Sequence, residues 1–236
     1  MVDEIVRGNM ALVDGSIDFG EIQTTAGQRM LNGKPQTGFS VQRHSQTREG
    51  REYVAGYIAR RYQENDDKPI IGDDGSVSVV EEETTIEEYS RFAAAEDDIL
   101  IVDKTWAVPH FVTNTSVFDG EPYAIDLNTW MDEHDVLSSG TVGFQGRLDN
   151  ADSGTLFGDS VLKDDKLGSE VRNSAMNQVR VEYNRNKGGM TSVYLCASGY
   201  VEVYEGVDSI DMFLDFVADE IVPYLVEEQG MRVDRS

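Results

Sequence analysis

The chain has 236 residues, of which 39% are hydrophobic and 9% aromatic, with 44 acidic residues against 20 basic ones and a formal net charge of −24. That apolar share excludes a disordered chain, and the length suffices for a core that needs no disulfide or metal staple. No apolar run reaches the ~20 residues of a membrane-spanning helix, so no membrane partner is expected. Met1–Val6 also lacks a basic region followed by an apolar stretch, so the expectation is a cytoplasmic protein, or a virion component if the source is viral.

The charge sets the habitat expected for this chain. At low ionic strength such an excess of one sign opposes compaction, whereas at about 1 M salt the Debye length falls to ~3 Å and the repulsion is screened. Fourteen of the basic residues are Arg and only six are Lys, and the acids run along the whole chain instead of forming a tail. The composition resembles that of proteins from salt-accumulating archaea and their viruses, so a halophilic protein is expected.

In chain order, residues 5–13 read as an opening strand, ended by the turn signal Asp14-Gly15. Residues 39–43 and 53–62 carry β-formers (Phe39, Val41, Tyr53, Val54, Tyr57, Ile58, Tyr62) and predict strands. Residues 66–69 and 72–75 read as polar loops, and Ser76–Glu83 as a strand. Thr85-Ile86-Glu87-Glu88 matches a capping box and predicts a short mid-chain helix ending near Ala95. Ile99–Val102 is a compact apolar strand, and Trp106–Thr113 extends or follows it, with Pro109 pointing to a sheet edge.

Between 119 and 160 the chain is rich in Asp, Gly, Ser and Asn, and short strands are expected at Tyr123–Leu127 and Thr141–Leu148. Val179–Tyr183 and Thr191–Ala197 flank a turn and predict a hairpin, followed by a strand at Tyr200–Tyr204 with one apolar and one mixed face. Ile210, Phe213, Leu214, Val217, Ile221 and Leu225 form one stripe of a longer C-terminal helix, capped by Asp208 or Ser209, interrupted at Pro223 and ended near Gly230. The fold class expected is α+β, a mostly antiparallel sheet of many short strands in a single domain. The spacing Ile86, Tyr89, Phe92, Ala94 echoes Ile210, Phe213, Phe216, Ala218 and raises the alternative of two similar halves, roughly 1–103 and 104–236.

The chemistry of common sites is not matched. Gly27 to Gly33-Lys34-Pro35 has the wrong spacing for a phosphate loop and places proline where the hydroxyl belongs, and no dinucleotide-binding glycine pattern follows a strand. The three histidines (His44, His110, His134) stand far apart, and carboxylate runs such as Glu81–Glu83 are expected by abundance alone. Asp149–Gly154 reads as a turn before a calcium loop, because Ser160 occupies the closing acid's place. Cys196, the one cysteine, lies in the apolar run Val193–Ala197 and reads as a buried small hydrophobe. No cofactor is expected.

One departure from background remains. Residues 22–62 carry Arg29, Lys34, Arg43, Arg48, Arg51, Arg60 and Arg61 against Glu49 and Glu52, a local net of +5. A smaller reversal at 171–190 holds Arg172, Arg180, Arg185 and Lys187 against Glu182. Arginine forks grip phosphates in pairs of hydrogen bonds, and interleaved tyrosines stack on bases. Arg43, His44, Arg48, Arg51, Arg60, Arg61, Arg180, Arg185 and Lys187 are therefore the candidate contacts of a non-enzymatic protein that binds nucleic acid or another polyanion. Against this stands pairing of the same arginines with the protein's own acids or with an acidic neighbour in a homo-oligomer. Two other functional classes fit the composition: a structural subunit of a virion shell or tail, and a metal-dependent hydrolase built on scattered carboxylates.

Overall fold

The computed structural model describes residues 7–12, 30–96, 99–108, 124–148, 151–165, 167–185 and 189–226. In chain order its strands are β1 (Arg7–Leu12), β2 (Met30–Leu31), β3 (Lys34–Pro35), β4 (Thr37–Gln46), β5 (Glu52–Ile71), β6 (Val77–Ala95), β7 (Ile99–Val102), β8 (Ala124–Ile125), β9 (Val136–Leu148), β10 (Ala151–Phe157), β11 (Ala175–Arg185), β12 (Gly189–Cys196), β13 (Tyr200–Glu205) and β14 (Leu225–Val226). The described helices are α1 (Leu127–Glu133), α2 (Leu167–Arg172) and α3 (Ile210–Glu220). Ten of the described strands join in one sheet, in the order β10-β9-β11-β12-β13-β1-β7-β6-β5-β4. β1 lies between β13 and β7 and is antiparallel to both, so the first described strand joins the two strand sets.

Period-2 alternation explains which side chains go inside. Along β11, Val179, Val181 and Tyr183 are buried while Arg180, Glu182 and Asn184 are exposed. Along β13, Val201 and Val203 are buried between Tyr200, Glu202 and Tyr204. The inward set joins Met10, Tyr53, Ile101, Leu195, Trp130 of α1 and Ile210, Phe213, Leu214 and Val217 of α3 in the larger core. Ile210, Phe213, Leu214 and Val217 of the predicted stripe dock from the helix and Ile221 from its C-cap, whereas Leu225 lies beyond it in β14. The helix ends at Glu220, and Pro223 falls in a 3₁₀ turn, Val222–Tyr224, where its missing N–H costs nothing. Ser209 holds the N-cap position but makes no side-chain cap bond there, and Gly230 lies outside the described residues.

The opposite face of the sheet buries Phe39, Val54, Ile58, Phe92, Leu100 and Val102 under the short turn that carries Ala107 and Val108. Residues 92–95 are therefore sandwiched, fully buried on both faces. The run Ala93-Ala94-Ala95 supplies the small volume that this requires.

That sandwich corrects the expected mid-chain helix. Thr85–Ala95 is strand, because β6 pairs with β5 without interruption from Ala95 opposite Tyr53 to Val77 opposite Ile71. Nineteen consecutive cross-strand partners outweigh a four-residue capping pattern. The same ladder makes residues 66–69 strand and leaves Gly72–Gly75 as the turn. The short helix of this region is α1, where a strand over Tyr123–Leu127 was expected: Asp126 caps it by accepting from the Thr129 amide at 3.1 Å. The echo between 86–96 and 210–220 has no structural counterpart, since one stretch is strand and the other helix.

Beyond Arg61 and Glu87, β5 and β6 pair among the described strands only with each other and project as a two-stranded arm of ten residue pairs. Its tip is closed by Gly72–Ser76. The Gly72 amide donates to the Ser76 carbonyl at 2.8 Å, Gly75 adopts a φ of 79°, and the Ser76 hydroxyl donates to Asp74 at 2.6 Å.

Candidate functional site

The structure separates the arginines of the basic segment. Arg51, at the start of β5, reaches α3 and donates to Asp215 and Asp219, 2.7 Å each, two carboxylates one helical turn apart. Arg48 stands 3.7 Å from Asp211 of the same helix. Arg60 donates to Glu88 at 2.6 Å and lies over the rings of Trp106 and Tyr62, 4.4 and 4.7 Å from their centroids. Arg61 donates to Glu87 and to the Pro35 carbonyl. On β4, Arg43 lies 5.5 Å over the Tyr53 ring and His44 pairs with Glu52. Arg185 reaches Glu220 and Phe216 in the core, with its side chain only 10% exposed. Lys187 and Arg29 lie outside the described residues. Most of these guanidinium groups are therefore directed at the protein's own carboxylates and rings.

Arg180 is placed differently. The ladder carries a row of side chains across six strands on one face, with Phe157 beside Thr141, Thr141 beside Arg180, Arg180 beside Tyr194, Tyr194 beside Glu202 and Glu202 beside Arg7. Tyr200 and Tyr204 flank Glu202 on the same face, since side chains two apart on a strand point the same way. Arg180 lies 4.5 Å over the Tyr204 ring, and the Tyr194 and Tyr200 rings meet edge to face at 6.1 Å. The polar ends are tied together: the Tyr200 and Tyr204 hydroxyls each donate to Glu202 at 3.1 Å, Arg7 donates to the other oxygen at 3.4 Å, and Tyr194 donates to Gln178 at 2.5 Å.

No described element covers this half of the face. The described helices pack on the other face, and residues 107–108 pack against the β4–β7 region. Phe157 is 78% exposed and Tyr204 44%, while Tyr194 and Tyr200 are half-buried. Partial burial, reinforced by the nearby Glu202 charge, pushes the Tyr200 hydroxyl up to about 12. Burial also raises Tyr194 and Tyr204, so the three hydroxyls stay protonated donors at ordinary pH. Cys196 belongs to this face as well, half-buried beside Gln178, which corrects its reading as a core residue. Burial raises its thiol and contact with Tyr194 only partly offsets that, which keeps it a neutral thiol and a weak nucleophile.

The chain matches no protein-family model and no curated protein.

A second concave region, of about 250 Å³, is lined by Asp132, His134, Asp135, Lys163 and Arg172 at the foot of α1. His134 is held in place there. Its Nδ1 faces the Trp130 carbonyl at 2.7 Å and its Nε2 faces Glu220 at 3.0 Å, so both ring nitrogens are engaged. Among the described residues no group of three or more His, Cys, Asp or Glu side chains is placed to hold a metal ion, and no helix is long and apolar enough to cross a membrane. Residues 151–154 of the calcium-like stretch lie in β10.

Sequence reasoning selected Arg180 but passed over its neighbours. The usable signal was in Tyr200-Val201-Glu202-Val203-Tyr204: strict alternation puts two tyrosines and a glutamate on one side. That Arg7, some 195 residues away, completes the row is a product of β1 inserting beside β13.

Proposed function

We propose that the protein is a binding protein of concentrated salt that holds single-stranded nucleic acid on this open half-face. Bases stack on Tyr194, Tyr200 and Tyr204. Gln178 and Glu202 face base edges, and Arg180 and Arg7 stand at two positions along the row to meet phosphates. The observation that carries the reading is the six-strand row with its exposed aromatic rings. Molar salt suits such a surface. It removes most of the gain from phosphate contacts, leaves stacking intact, and screens the repulsion between a polyanion and a chain of net charge −24.

Anisotropy titrations of labelled homopolymer DNA and RNA in potassium chloride of rising concentration test this. Two face arginines predict a shallow salt dependence, with log K against log salt falling at a slope of about −1.4. Tyr194→Ala and Tyr204→Ala each lower affinity, by roughly 5- to 150-fold per lost stacking partner. Arg180→Glu weakens binding to all sequences alike. Because the tyrosine hydroxyls stay neutral, affinity is flat between neutral and mildly alkaline pH. The reading is sunk if no oligonucleotide binds at any salt concentration, or if both tyrosine variants bind as the parent does.

A further inference from the structure

We infer that the β5–β6 arm seats on a second copy of this chain, its tip strand Val77–Val80 adding to the open edge of β10. The arm's shaft and tip differ in chemistry. Cross-strand partners share a face, so Asp66 stands opposite Glu82 and Asp67 opposite Glu81 in the shaft, whereas Pro69 stands opposite Val79 and Ile71 opposite Val77 at the tip. Ile71, Val77 and Val79 are 74%, 67% and 63% exposed, an apolar patch on one face of a two-stranded ribbon. A lone hairpin of this length is marginal in water and gains stability from a third strand.

The receiving edge is set by charge. Over a quarter of all residues are charged, yet Ser153–Gly158 along β10 and Ser76–Val80 along β6 carry none. Both are outer edges of described strands, with backbone groups that no described strand pairs. Edges left free usually carry charges that prevent such pairing. In a chain of net charge −24, a second copy approaches most easily through surfaces without charge, and these two meet that condition. A basic partner would instead be drawn to the acidic shaft. Strand addition also sets Val77 and Val79 beside Phe157, the most exposed large apolar side chain among the described residues.

Light scattering after size exclusion in molar potassium chloride tests the inference on the full chain. The expected mass is at least twice 26.3 kDa, falling to one chain for the double variant Ile71→Lys, Val79→Lys and for Phe157→Lys. Thermal unfolding of the variants checks that they remain folded, which is expected because all three positions lie outside the core. In the parent, amides 76–80 gain protection from exchange as concentration rises. A one-chain mass at every accessible concentration overturns the inference, and so does association that persists in the arm variant. Association lost in the arm variant but retained in Phe157→Lys overturns the β10 seat.

Discussion

The residue that binds the C-terminal helix to the rest of the core is Glu220. Its carboxylate meets His134 at 3.0 Å and Arg185 at 3.5 Å, its carbonyl accepts from the Trp130 indole at 2.8 Å, and the side chains of Glu220, His134 and Arg185 are 7%, 8% and 10% exposed. Trp130 stacks on His134 with centroids 4.1 Å apart, and Tyr183 stands edge-on to both. Burial by itself would raise the Glu220 carboxyl; the His134 hydrogen bond and the Arg185 charge outweigh it and hold the group below the usual carboxylate range. A depressed folded value means stability that is complete above the unfolded pKa and lost as pH falls through the folded one. Stability should therefore decline below about pH 4.5. Glu220→Gln should flatten that part of the acid limb and cost about 3 kcal/mol at neutral pH by urea titration, because it leaves Arg185 without its buried counter-charge. Arg51 plays a comparable part at the surface. Arg51→Lys is predicted to loosen the contact between the start of β5 and α3, since one ammonium cannot fork to Asp215 and Asp219 together.

At the scale of the element, the arm is where charge and structure conflict most directly. Like charges placed opposite each other destabilise a ribbon, and the exposed Lys68–Glu82 pair at 2.7 Å offers little to offset two facing acidic pairs. At about 1 M salt the ~3 Å Debye length screens this repulsion. Hydrogen exchange should show amides 64–68 and 80–84 unprotected in dilute buffer and protected in molar potassium chloride, with Ala93–Ala95 and Ile99–Val102 protected in both. Asp67→Lys should restore protection of the shaft in dilute buffer. The same element shows why local reading failed: Thr85-Ile86-Glu87-Glu88 has the spacing of a helix start, and only a partner strand more than twenty residues upstream turns it into a ladder. The hairpin β11–β12, whose strands end and begin only four residues apart in sequence, was legible because its pairing is local.

For the whole molecule, a net charge of −24 spread along the chain predicts that stability rises with ionic strength. The thermal midpoint should climb from dilute buffer to molar potassium chloride. A chain equally stable in dilute buffer would remove the basis for reading it as salt-adapted. Amino-acid order by itself determined what depends on composition and short-range period: the anionic character, the mostly antiparallel sheet, the buried stripe of α3 and the alternation of β11 and β13. Tertiary structure decided what depends on pairing between distant segments. It turned Arg51, Arg60 and Arg61 toward carboxylates of the chain itself, made residues 85–95 a strand, and brought Arg7 beside Glu202 and Arg180 beside Tyr194. The physical reason is that a side chain's identity is local, whereas its partner is set by the register of a sheet whose neighbours can lie almost two hundred residues apart.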